Sequence, residues 1–273
     1  MTLKEKFNKQ LLNKGTIVAF NIQNLYQLQS LYKVANQNQV HVIAQFSAKF
    51  IKYFDDNIGF EMLVKKYQNE FLTFHLDHCL DISLIKFCID KGFASVMFDG
   101  SALPLLENIK LSNEIYDYAH QKGCLLEVEL GSISGVEDGF GEEHGLYYDI
   151  EELKKFNEST KYDLLALAIG NAHGIYQSLD SIKLELLEDA KRIVGEQFFV
   201  LHGGTGMPET MIRQAIDIGV VKMNVSTALK VETLNIMKNY SNINTSYDEI
   251  KFGDFFYNSI SPFYLNYIAN YTK

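Results

Sequence analysis

The chain has 273 residues, of which 47% are hydrophobic and 22% charged, ordinary proportions for a globular fold with a sizeable core. Its formal net charge of −9 argues against broad electrostatic binding to nucleic acid or to an anionic membrane. Cys79, Cys88 and Cys124 are too sparse for a disulfide scaffold, no run reaches bilayer length, and MTLKEKFNKQLLNKG lacks a leader-like apolar stretch, so a cytoplasmic location is expected.

In chain order the expected strands are TIVAFNI (16–22), VHVIAQFS (40–47), LTFHLDH (72–78), ASVMFD (94–99), LLEVELG (125–131), LLALAIG (164–170), FFVLHGG (198–204) and VVKMNVS (220–226). Between them, NLYQLQSLYKVANQ, DISLIKFCIDKG, LENIKLSNEIYDYAHQKG and ETMIRQAIDIG carry apolar residues at helical spacing. Gly92, Gly123 and Gly219 close three of these helices. Alternating strands and helices imply parallel pairing, and about eight such units in roughly 250 residues match a TIM (β/α)8 barrel. A doubly wound open sheet is the alternative, because periodicity does not show closure. Without a Pro-rich or Ser/Gly-rich linker the chain reads as a single domain, 1–273, with a C-terminal helical extension after about residue 240. The Gly-rich stretch 131–149 follows a strand and has the length of a lid.

Apolar runs that stop at a His, Asp or Gly look like buried strands handing over to site-building loops. Parallel closure would gather their C-terminal ends at one mouth, with Asp77, His78, Asp99, Glu129, His173, His202 and Asn224 around it. Three neutral imidazoles leave zinc an open position for a substrate carbonyl, and Asp77 is a candidate base. His75 lies three residues before His78, on the opposite face of a regular strand, and is expected to play no part as a ligand. His41, His120 and His144 have no convergent partners and are assigned to solvation or local capping. Cys79 is read as a small residue packed beside the site.

Gly170 and Gly174 flank His173, and HGGTG (202–206) precedes a helix that begins near Pro208, an arrangement that offers free backbone donors to a phosphate. Glu127 and Glu129 share one face of a strand, and carboxylates directed into a barrel need a cation, a donor or a proton. Glu137 and Asp138 read, by composition, as a solvated charged loop.

Taken in order, AFNIQNLYQLQ (19–29), HLDH (75–78), SVMFDGSALPLLENI (95–109), YAHQKGCLLEVELGSISGVEDG (118–139), LAIGNAHGIY (167–176) and HGGTGMPETMIRQAIDIGVVKMNVST (202–227) resemble the class II, zinc-dependent fructose-bisphosphate and tagatose-bisphosphate aldolase family. The resemblance runs over nearly the whole chain and implies the same barrel. It implies that His78, His173 and His202 hold zinc, that Asp77 is the catalytic acid/base, and that Asp99 and Glu129 hold the metal in an alternative, more buried position. It further implies proton exchange with the three-carbon donor by Glu137, and a phosphate cradle of Gly174, Gly203, Gly204 and Thr205. Asn224, Ser226, Thr227 and Lys230 fall at substrate-binding positions after the last strand, and Asn21 and Ser47 near the acceptor end. A Na+ or K+ ion and a homodimer or homotetramer are expected on the same ground.

The departures lie at the substrate ends. Gln177 stands where the family has Lys, Ser226 and Ala228 where many members have acids, and Lys230 where they have Arg, which keeps the charge but loses the bidentate fork. Thr205 replaces Ser, and Cys79 stands where Gly is common. The expected activity is reversible retro-aldol cleavage of a ketose bisphosphate, fructose 1,6-bisphosphate by default, to dihydroxyacetone phosphate and an aldehyde, with a place in glycolysis. Tagatose 1,6-bisphosphate or another phosphorylated keto sugar is the alternative substrate. A non-catalytic sugar-phosphate-binding protein and a zinc hydrolase are the alternatives of other classes.

Overall fold

A computed structural model describes residues 1–57, 59–133, 135, 147–174, 176, 178–243 and 248–273. Eight parallel strands close into a barrel in sequence order: β1 (Ile17–Asn21), β2 (Val42–Ser47), β3 (Leu72–Asp77), β4 (Ser95–Phe98), β5 (Leu125–Leu130), β6 (Leu164–Leu167), β7 (Phe198–Leu201) and β8 (Val220–Val225). β8 returns to β1, with Ala19 opposite Asn224. The open-sheet alternative is thereby removed, and the barrel is the TIM fold. The helices are α1 (Leu3–Asn13), α2 (Leu25–Asn38), α3 (Ala48–Asn57), α4 (Phe60–Tyr67), α5 (Ile82–Asp90), α6 (Leu105–Gln121), α7 (Ile150–Ser159), α8 (Leu184–Val194), α9 (Glu209–Ile218), α10 (Thr227–Ile243) and α11 (Glu249–Tyr271). Among the described residues no helix is long and apolar enough to cross a membrane.

Strand parity builds two cores from one sequence. Val18, Phe20, Ala44, Phe46, Phe74, Leu76, Val96, Phe98, Leu126 and Val128 pack outward beneath the helices. Ile17, Ala19, Ile43, Leu125, Leu164, Ala166, Phe198 and Val200 form a second cluster inside the barrel. Helix α1 closes the N-terminal end of that inner core with Leu3 and Phe7, the latter's ring 5.8 Å from that of Phe198. A capping box of Thr2 and Glu5 starts this helix. The inner residues change character along each strand. Ile17–Ala19–Asn21, Ile43–Gln45–Ser47 and Leu125–Glu127–Glu129 run from apolar at the α1 end to polar at the other, so the barrel is sealed below and chemically loaded above.

Every expected strand extends past its observed C-terminal end or stops at it, because there the backbone leaves the ladder to build loops. The stretch 164–170 is the clearest case: pairing ends at Leu167, and Gly170 takes a left-handed turn at φ +84°. The C-terminal extension is α11, which packs on α2 and β1. Tyr264 meets Phe20 edge-on at 4.8 Å and bonds the Gln27 carbonyl at 3.3 Å.

Candidate active site

The chain turns abruptly at the end of β3. Asp77 points into the barrel, so strand alternation alone would send His78 outward. Instead His78 takes a left-handed φ of +38°, uncommon for a side chain with a Cβ, and its imidazole enters the same mouth. The expectation that His75 and His78 sit on opposite faces assumed a regular strand. His75 does face inward, one layer below Asp77. There its Nδ1 lies 2.8 Å from Ser95 Oγ and its Nε2 3.6 Å from Glu127 Oε2.

His173 arrives on the loop after β6 and His202 directly after β7. Ligand atoms of His78, His173 and His202 lie within 4.8 Å of one another, and so do those of His78, Asp99 and Glu129. His78 presents Nε2 and His202 presents Nδ1 to their common space, 3.0 Å apart. Their other ring nitrogens each meet a carboxylate at 2.8 Å: His78 Nδ1 meets Asp99 and His202 Nε2 meets Glu127. Carboxylates behind imidazoles fix the tautomer that leaves a lone pair for a cation. A tetrahedral zinc with nitrogens at about 2.0–2.1 Å would separate them by about 3.3–3.4 Å, close to the spacing present. Glu129 Oε2 is buried and accepts no hydrogen bond among the described residues, as a second carboxylate open to a cation would. The donor set therefore fits a divalent metal.

Electrostatics agrees. Burial opposes charge on His78, but Asp77, Asp99 and Glu129 outweigh it and hold the imidazole well above its ordinary pKa. Burial, with the charge on His78, holds His202 well below its own. Burial and the adjacent Asp99 push Glu129 well above the carboxylate range. Burial would raise Asp99 too, but the His78 hydrogen bond brings it down to about 2. Three crowded carboxyl groups favour a positive charge among them.

Asp77 is buried and held by amides on both oxygens. Asn21 donates to Oδ2 at 2.7 Å with Gln45 at 3.2 Å, and Asn224 donates to Oδ1 at 3.2 Å. Ser47 stands opposite Asp77 in the β2–β3 register, and its Oγ accepts from Phe50 N at 3.4 Å. His173, Gly174, Gly203, Thr205, Asn224, Ser226 and Thr227 line one concavity beside these groups. Gly203 is needed there: at φ +69° a Cβ would fall 2.2 Å from the Ala172 carbonyl oxygen. Gly204 packs against Met223, and Thr205 Oγ1 accepts from Ala228 N at 3.3 Å. Ser226 Oγ is buried in this concavity with no hydrogen-bond partner among the described residues. Lys230 lies one turn into α10, its N bonded to the Ser226 carbonyl, and does not line the concavity. Glu137, Gln177, His144 and most of the stretch 131–149 lie outside the described residues.

Several residues escaped the sequence reading. Lys222, fully buried on β8, meets Glu127 Oε2 at 2.9 Å, and a charge inside the apolar run VVKMNV was its visible signal. Gln45 gave no signal of its own. Tyr176 OH accepts from Ala172 N at 3.0 Å and donates to the Gly203 carbonyl at 2.8 Å, bolting the His173 loop to the glycine turn. His41 and His120 are not merely solvated. His41 bonds Lys6, Glu70 and Thr73, while His120 bonds Asp163 at 2.8 Å and stacks on Tyr116 at 3.8 Å. Cys79 packs in the outer core beside the site, as expected.

A parallel (β/α)8 barrel with a buried carboxylate, three imidazoles and a small polar concavity at its C-terminal mouth has the architecture of a barrel enzyme whose site lies at the strand C-termini. The model of the family "Fructose-bisphosphate aldolase class-II" matches residues 1–268. A fructose-bisphosphate aldolase of Geobacillus stearothermophilus is 33% identical over 232 residues, 83% of this chain and 80% of that one. The chain belongs to the class II fructose-bisphosphate aldolase family, whose members are metal-dependent aldehyde-lyases that bind sugar phosphates. Among solved structures, a putative fructose-1,6-bisphosphate aldolase of Coccidioides immitis superposes with a TM-score of 0.85 at 25% identity, over 99% of this chain and 96% of that chain. The YdjI aldolase of Escherichia coli K12 shares the fold at a TM-score of 0.81 and 24% identity, over 100% of this chain and 98% of that chain.

Proposed function

We propose that the protein is a zinc-dependent aldolase that reversibly cleaves a ketose bisphosphate, fructose 1,6-bisphosphate by default, to dihydroxyacetone phosphate and an aldehyde. The observation that carries this reading is the meeting of Asp77 with His78, His173 and His202 at one mouth, from three separate strand ends. The three imidazoles would hold the zinc, with Asp99 and Glu129 as an alternative, deeper pair. A cation held there supplies Lewis-acid polarisation of the ketose carbonyl. Asp77, oriented by Asn21 and Asn224, takes the proton of the C4 hydroxyl. The C3–C4 bond breaks, its electron pair passes to the three-carbon half, and the aldehyde half leaves. Glu137 returns a proton to that half. Gly174, Gly203, Gly204, Thr205, Ser226 and Thr227 bind the donor phosphate, for which glycine backbone leaves close access. Asn21 and Ser47 lie toward the acceptor and Lys230 toward a substrate end. The enzyme acts as a single barrel domain in the cytoplasm, as a homodimer or homotetramer, with a Na+ or K+ ion near the substrate and a place in glycolysis.

Exhaustive chelation should abolish cleavage, and zinc should restore it. Activity that survives chelation and is trapped by borohydride would replace this chemistry with a lysine Schiff base. Asp77→Ala should lower kcat by about 10²–10⁴-fold while zinc stays bound, which also separates a catalyst from a sugar-phosphate-binding protein.

A second reading keeps the chemistry and changes the sugar. Neither Ser226 nor Ala228 places a carboxylate beside the concavity, which favours tagatose 1,6-bisphosphate or another phosphorylated keto sugar. Assay of a panel of ketose phosphates decides between them. Negligible turnover of fructose 1,6-bisphosphate beside strong turnover of another ketose rejects the default.

A further inference from the structure

Lys222 is the anomaly of the barrel interior. Its side chain is 1% exposed, and its ammonium lies below the mouth, where an apolar residue would seal the layer at lower desolvation cost. Its contacts run in two directions. Toward β5, Lys222 Nζ meets Glu127 Oε2 at 2.9 Å, and the other oxygen of that carboxylate meets His202 Nε2 at 2.8 Å. Along β8, Nζ donates to Asn224 Oδ1 at 2.8 Å, and Asn224 Nδ2 donates to Asp77 Oδ1 at 3.2 Å.

We propose that Lys222 is a positioning residue that locks His202 and Asp77 into register with each other through one buried ammonium; this rests on the metal and base assignments proposed above. The first arm acts on the imidazole. Glu127, held in place by Lys222, accepts the hydrogen bond of His202 Nε2, and that bond leaves Nδ1 as the lone pair facing His78 Nε2. The second arm acts on the base. The two ends of an amide have nearly the same shape, so its partners decide which way it points. A cation at Oδ1 turns the Asn224 Nδ2 donor toward Asp77. With the amide reversed, its oxygen would face the carboxylate and repel the base from its place. His75, bonded to Ser95 and 3.6 Å from Glu127 Oε2, packs against the same carboxylate. The ligand and the base thus share one electrostatic anchor that touches neither substrate nor metal.

Two variants test this. Lys222→Met leaves Glu127 as a lone buried charge, whereas Lys222→Met/Glu127→Gln leaves no net charge behind and separates positioning from folding. Zinc affinity is read by chelator competition, ligand geometry by the visible spectrum of the cobalt-loaded protein, and catalysis as separate kcat and KM. For the double variant, zinc affinity should fall by about 10–100-fold, with shifted cobalt bands. Its kcat should fall by at least about tenfold, with KM within about threefold of the parent. Zinc affinity, cobalt spectrum and kcat all within about twofold of the parent would overturn the proposal and leave the pair a charge-balanced core contact. Should neither variant fold, Glu127→Gln, which keeps the size, is measured in the same way, and unchanged zinc affinity there overturns it equally. A parent that binds no zinc at the mouth refutes the metal assignment instead, so the two failures are distinguishable.

Discussion

One backbone angle places the site's central imidazole. Strand parity can send only one of Asp77 and His78 into the barrel, and the left-handed φ of +38° at His78 brings both. Such a conformation costs an ordinary residue about 1–2 kcal/mol, which the bonds of His78 to Asp99 and His202 offset. The same imidazole contributes to the pH behaviour of the metal-free protein. Its folded pKa is raised, so its charge stabilises the fold below the unfolded value, about 6.5, and that stability is lost as pH rises through the folded value. A metal must displace this proton. Zinc binding at pH 7 should therefore release about one proton, and zinc affinity should fall by about tenfold for each unit of acidification near neutrality. Calorimetry in two buffers of different ionisation heat measures the count, and a count of zero would show His78 already neutral.

Among the elements, α1 precedes the first strand and α11 follows the last strand–helix pair. The first seals the inner core with Leu3 and Phe7. The second covers β1 and α2, with Tyr264 fully buried against Phe20. Tyr264→Ala should cost about 3 kcal/mol or more, by analogy with buried Phe truncations. That cost corresponds to a thermal midpoint lower by about 6 °C or more. Tyr264→Phe removes only the bond to the Gln27 carbonyl and should cost about 1 kcal/mol. Equal losses from both, followed by thermal denaturation, would put the weight on the hydroxyl rather than the ring. Helix periodicity made α2, α5, α6 and α9 legible, because each buries one stripe against the barrel. It did not expose α1 as a plug, because MTLKEKFNKQLLNKG is mostly polar and only Leu3, Phe7 and Gln10 of that helix are buried.

For the molecule as a whole, the candidate ligands come from the ends of β3, β6 and β7, and closure of the sheet is what brings the end of β3 to the paired ends of β6 and β7. A cation bound there ties distant parts of the chain and favours the folded state alone. Free zinc at about 100 times its dissociation constant should stabilise the protein by about 2.7 kcal/mol. That amounts to about 5–10 °C in thermal midpoint, read by calorimetric scanning with and without chelator. No shift would separate the imidazole cluster from metal binding.

The amino-acid sequence by itself determined the alternation of strands and helices, the histidines and Asp77 at strand ends, and the family to which the chain belongs. Those signals are local: period, residue type and colinear motif survive without any contact being known. Closure of β8 onto β1, the turn at His78 and the meeting of Lys222, Glu127 and Asn224 were decided only by the tertiary structure. Each depends on which residues face one another across strands far apart in sequence, and a lysine in VVKMNV or a glutamate in LLEVEL acquires its role only from the partner that closure brings to it.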